Sequence, residues 1–141
     1  MRKIYKNFIT KKEANVLLKT LGGKIIDSKN KITNKIVDKL KEDFDFKIKP
    51  ESYYHIEHYP SGHPWHKDTG INNHMSWCQL GVSILLKNSS SGGDTYYAED
   101  IKGTNKIKSD RKLYDLIAHT SDEWHMVEPH EGERVVFLIF I

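Results

Sequence analysis

Cysteine, long apolar runs and an excess of one charge are all missing from this chain. Of its 141 residues only Cys78 is a cysteine. No intrachain disulfide can form, and a cysteine-rich zinc module is excluded. That scarcity suits a reducing compartment. The longest apolar stretch, residues 135–141, has the length of a strand and falls far short of a membrane span. The opening Met1-Arg2-Lys3-Ile4-Tyr5-Lys6-Asn7 lacks the apolar segment of a secretory signal, so a cytoplasmic location is expected. Net charge is only +3, and the lysines are scattered through the first fifty residues and from Lys102 to Lys112. This is a weakly basic surface rather than the interleaved basic and aromatic block of a nucleic-acid binder.

What is present is 38% hydrophobic and 29% charged, the balance of a soluble globular protein. The length fits a single domain over residues 1–141 with its own core, and neither a repeat nor a linker interrupts it. The first part, to about residue 45, reads as helical. Thr10-Lys11-Lys12-Glu13 has the form of a capping box; Ala14, Leu17, Leu18 and Leu21 recur at helical spacing before Gly22-Gly23. A second helix is expected over residues 31–42, with Ile32, Ile36, Val37 and Leu40 on one face. From about residue 46 to 141 the pattern is short strands bounded by Gly, Pro, Asn or Ser: residues 53–59, 79–86, 95–97, 113–118 and 134–141. The stretch up to Lys112 reads as a long surface loop. A mainly β barrel or sandwich behind two N-terminal helices is the expected fold class.

Eight histidines stand at 55, 58, 63, 66, 74, 119, 125 and 130. Two local arrangements separate themselves from that background. In Trp65-His66-Lys67-Asp68 an extended backbone turns the imidazole and the carboxylate to one side, where both reach a single metal ion. In the segment from Trp124-His125 through Pro129 and Gly132 to Arg134, a further histidine precedes a turn and an arginine that opens an otherwise apolar strand. A guanidinium in such a place needs a partner or an exposed position, and its planar fork suits a buried carboxylate. Two histidines and one carboxylate make the facial triad of non-haem iron oxygenases, which leaves positions for a chelating cosubstrate and dioxygen. A dicarboxylate bound to that metal through one end would set its other end against Arg134. On these grounds alone His119 and His130 compete with His125 for the distal ligand. His63 and His74 flank the first motif as surface residues or substrate contacts. Tyr53, Tyr54, Tyr96 and Tyr97 read as strand packing, and residues 69–77 as a loop or a lid.

The order His66-x-Asp68, Ser91-Gly92-Gly93-Asp94, His125-x-Val127-x-Pro129 and Gly132-x-Arg134 resembles the iron(II)/2-oxoglutarate dioxygenases of the prolyl 4-hydroxylase-like branch. The likeness covers roughly residues 53–141. It implies a double-stranded β-helix (a jelly-roll, cupin-like barrel) with iron(II) held by His66, Asp68 and His125. It also implies 2-oxoglutarate bound through Arg134 and touched by Tyr59, O2 as the second cosubstrate, and ascorbate as an optional reductant. The implied reaction hydroxylates a C–H bond of a protein, peptide or amino-acid substrate, prolyl among them, as 2-oxoglutarate becomes succinate and carbon dioxide. Two departures stand out: Val136 where the branch often has a small hydroxylated residue, and His119 where it has an apolar one. Nucleic-acid demethylases of a related branch carry a second arginine six positions after the first, where this chain has Phe140. Two other functions remain open at this point, a non-enzymatic cupin-like binding module and a zinc hydrolase using the same ligands.

Overall fold

Local capping chemistry fixes where the helices begin. In the computed structural model, which describes every residue except Ile71 and Asn73, the Thr10 side chain accepts from the Glu13 N–H, and Glu13 accepts from the Thr10 N–H. Helix α1 then runs Lys11–Leu18. It ends sooner than its apolar spacing suggests: Leu21 is exposed, because the Thr20 hydroxyl donates back to the Val16 carbonyl and Gly23 joins a strand. Helix α2 spans Lys31–Leu40 and is capped by Asn30, whose side-chain oxygen accepts from the N–H groups of Ile32 and Thr33. Its expected stripe, Ile32, Ile36, Val37 and Leu40, is buried throughout.

The strands are β1 (Arg2–Tyr5), β2 (Gly23–Lys24), β3 (Tyr53–Glu57), β4 (His63–His66), β5 (Leu80–Lys87), β6 (Ser91–Gly92), β7 (Thr95–Ala98), β8 (Ile107–Lys108), β9 (Leu116–Thr120), β10 (Trp124–Val127), β11 (His130–Glu131) and β12 (Val135–Phe140). They form a six-stranded sheet in the order β1-β9-β5-β12-β3-β2, a four-stranded sheet β4-β10-β7-β8 and a small pair β11-β6. Every pairing is antiparallel. The mainly β class with two helices is therefore the observed one, but the N-terminal part is not purely helical. Arg2–Tyr5 forms an edge strand on β9, which a four-residue segment with no turn signal around it does not announce.

The large sheet is covered on both faces, which explains why β5 and β12 read as continuous apolar runs rather than alternating ones. On one face Ile84, Leu86, Leu116, Phe137 and Ile139 pack with Leu17, Ile36 and Leu40 of the helices. On the other face Gly81, Ser83, Ile117, His119, Val136 and Leu138 line a cavity shared with the four-stranded sheet. Period-two alternation thus sorts each central strand into a structural side and a functional side.

Ile36→Ala tests this separation. Its side chain is fully buried on the helical face, so the change is expected to cost about 2–5 kcal/mol in urea unfolding. The affinity of the folded protein for divalent metal should stay within about twofold.

Candidate metal centre

The register of the four-stranded sheet carries two of the expected ligands to one place. His66 on β4 pairs directly with His125 on β10, and Tyr97 on β7 pairs with His125 from the other side. Residues in register on neighbouring strands project to the same face, and here that face is the cavity wall. Asp68 lies two residues past the end of β4. Its buried carboxylate reaches across to the large sheet, where His119 of β9 and Gly81 of β5 are register partners.

Tautomers follow from the partners. The Nδ1–H of His66 donates to the Pro64 carbonyl at 2.7 Å, and that of His125 to the Glu123 carbonyl at 2.9 Å. A carbonyl only accepts, so each neutral ring keeps a lone pair on Nε2. The Nε2 of His125 lies 3.3 Å from Asp68 Oδ1. One donor atom each from His66, Asp68 and His125 lie within 4.8 Å of one another. Lone pairs converging in a buried site repel unless a proton or a cation sits among them. Two neutral imidazoles and one carboxylate make a borderline donor set that suits a divalent transition metal. The residues present fit the group.

The second carboxylate oxygen of Asp68 is held separately. His119 donates from Nε2 to Oδ2 at 2.6 Å and accepts at Nδ1 from the Tyr97 hydroxyl at 2.8 Å. This relay answers why a histidine stands on an apolar strand: it orients the carboxylate and does not replace His125. Burial works against the charge on Asp68, but the neighbouring imidazoles, the N–H of His119 first, outweigh it and hold the acid well below its ordinary range. For His119, burial dominates over the neighbouring carboxylate and lowers its pKa, which keeps the ring neutral. Gly81 makes room for the whole arrangement, since a Cβ there would overlap both Asp68 Oδ2 and His119 Nε2.

Two arginines occupy the other end. Arg134, immediately before β12, is only 6% exposed. Arg111 arrives from the segment between β8 and β9; its residue is partly exposed, yet its head group is enclosed and donates to the hydroxyls of Ser83 and Thr95. Burial, and next the charge of Arg134, push the Arg111 guanidinium down to about 10. Arg134 is lowered by burial too, with Glu57 and Asp94 favouring its charge. Neither has a carboxylate at ion-pairing distance among the described residues. Between histidines and arginines lies a cavity of about 120 Å³, walled by Ile117, Val136 and Leu138. That is well under the ~300 Å³ of a drug-sized site and suits a compact metabolite. A more open cleft of about 690 Å³ also borders Thr95, Arg111 and Arg134, but none of the histidines lines it.

The remaining expected residues fall as follows. Tyr59 does not reach the cavity: β3 stops at Glu57, the chain turns through Pro60 to Gly62, and Tyr59 is 50% exposed against the His63 ring. Glu57 and His63 line the cavity instead and pair with each other at 2.6 Å. Those contacts, together with His55, overcome the burial of Glu57 and lower its pKa to about 2. His130 is buried on β11 against the His58 ring, outside the cavity lining. His74 is exposed. Tyr54 is core packing, as read, whereas Tyr97 belongs to the site. Residues 69–77, read as a loop or lid, include Ile71 and Asn73, which lie outside the described residues.

Comparison with known proteins gives a clear answer about the fold. No protein-family model matches the sequence, and no curated protein does. Solved structures match over nearly the whole chain. A prolyl-4-hydroxylase of Pseudomonas putida has a TM-score of 0.73 at 12% identity, covering 99% of this chain and 83% of its own. The viral collagen prolyl hydroxylase of Paramecium Bursaria Chlorella virus-1, solved as a 2OG complex, has a TM-score of 0.65 at 15% identity, with 99% and 93% covered. A prolyl hydroxylase of Trichoplax adhaerens, in complex with a hypoxia inducible factor oxygen degradation domain peptide fragment, has a TM-score of 0.64 at 14% identity, with 99% and 82% covered. At these identities the likeness establishes a shared fold.

Gly81→Ala is the test of the relay. The added methyl must displace Asp68 or His119, so metal affinity is expected to fall by about 10–100-fold or more. Calorimetric titration of the metal-free protein reads this directly.

Proposed function

We propose that this protein is an iron(II)- and 2-oxoglutarate-dependent oxygenase whose two facing sheets form a double-stranded β-helix in one domain. The observation that carries the reading is the pairing, across one small cavity, of a His-Asp-His cluster with two enclosed guanidinium groups that have no carboxylate at ion-pairing distance among the described residues. The fold shared with prolyl hydroxylases and other 2OG-Fe(II) oxygenases supports it. A zinc hydrolase or a plain binding module gives no reason for such a charge arrangement.

His66, Asp68 and His125 would hold the iron. When bound, iron with 2-oxoglutarate and O2 supplies oxidation of an unactivated C–H bond, coupled to conversion of 2-oxoglutarate to succinate and carbon dioxide. The chain's own residues do the positioning. Arg134 holds the far carboxylate of the cosubstrate through a charge-assisted fork. The walls of Ile117, Val136 and Leu138 exclude water along its carbon chain. His119 and Tyr97 keep Asp68 ionised and fixed. No protein nucleophile takes part.

For the substrate we favour a side chain in a peptide or protein. The cavity is too small to hold a large substrate as well, so the group to be oxidised approaches from outside. Near Phe140 of the cavity, Tyr53, His55 and Trp77 cluster at ring separations of 5.4–6.2 Å, an apolar surface on which a peptide can rest. The fold neighbour solved with a peptide supports the same class.

Iron(II) and 2-oxoglutarate added without oxygen should give a weak visible charge-transfer band. His125→Ala should abolish it. Arg134→Ala should demand about 10–100-fold more 2-oxoglutarate, the worth of one lost charged hydrogen-bonding partner. Iron shown to be bound with no band at saturating 2-oxoglutarate contradicts the proposal.

A further inference from the structure

The far end of the cavity holds one guanidinium more than the resemblance accounts for. Arg134 alone would serve as the cation for a distal carboxylate, and Val136 removes the hydroxyl expected to help it. Arg111 enters from a different segment, between β8 and β9, and its head group is tied to Ser83 on β5 and Thr95 on β7. These are strands of the two different sheets. Each hydroxyl offers only its oxygen to a guanidinium, and neither neutralises it. Two like charges sharing one enclosed space repel, and a ligand anion placed between them relieves both.

We propose that Arg111 is a second carboxylate-binding residue, so that the far carboxylate of the cosubstrate is clamped between Arg111 and Arg134. Ser83 and Thr95 aim the clamp. A guanidinium carries five N–H donors, and two hydroxyl contacts leave others for a ligand oxygen. Arg111 thereby supplies the donor missing at Val136, from a site that sequence spacing cannot associate with it. The consequence is selectivity: the cavity accepts 2-oxo diacids and disfavours 2-oxo acids with an apolar tail, which would set no anion between the two guanidinium groups. This inference rests on the cosubstrate reading above.

The test compares 2-oxoglutarate with 2-oxopentanoate, which matches it in carbon count but lacks the second carboxylate. Dissociation constants are measured by calorimetry on manganese-loaded protein without oxygen, for wild type, Arg111→Met, Arg134→Met and Ser83→Ala. Arg111→Met should weaken 2-oxoglutarate about 10–100-fold while changing 2-oxopentanoate less than about threefold. Ser83→Ala, which keeps the charge but loosens its aim, should shift the same ratio by a smaller factor and serves if Arg111→Met fails to fold. An unchanged 2-oxoglutarate constant in Arg111→Met, or equal weakening of both acids, overturns the clamp and leaves Arg111 a wall residue. If manganese-loaded wild type binds neither acid, the cosubstrate reading falls and the clamp with it.

Discussion

A carboxylate 6% exposed, at Asp68, is the constraint around which the rest of this protein is arranged. Taking an ion of that kind out of water costs several kcal/mol unless nearly every lone pair is satisfied. Here one oxygen receives the His119 N–H, and the other faces the lone pair of His125 Nε2, an approach that a cation held between them would satisfy. Supplying those partners sets demands far from Asp68. The register of β4 on β10 must bring His66 beside His125. Position 81 must lack a side chain. Tyr97 must reach His119 from the opposite sheet, which fixes how the two sheets sit against each other.

The cavity that results has opposite character at its two ends, with apolar side chains between. Lone pairs converge at one end and call for a cation; guanidinium groups at the other call for an anion. A molecule that chelates through one end and carries a carboxylate at the other answers both. The same strands that make these walls give their alternate residues to the core beneath the helices. One-residue slips of β5, β9 or β12 would therefore exchange core and cavity faces.

The sequence made the two helices, the apolar central strands and the His66, Asp68, His125 and Arg134 pattern visible because each has a local signature: a cap, a period or a short spacing. The partners that hold them in place have none. His119 stood out only as a histidine among apolar neighbours, and its bond to Asp68 spans fifty-one positions. Gly81 is a lone glycine inside a strand, a known mark of close backbone approach, but nothing said what approaches. Arg111 lay hidden in a lysine-rich segment that read as surface loop. Tyr59 entered through the resemblance alone, and the chain sets it past the end of β3, half exposed against the His63 ring.

The most direct test of the account is anaerobic titration of the metal-free protein with iron(II), for wild type and for Asp68→Asn, which keeps the shape of the side chain and removes its charge. One iron per wild-type chain is expected, with affinity lower by at least about 100-fold in the variant, which loses a charged ligand. Equal affinity in the two proteins, or no saturable binding by wild type, would contradict it.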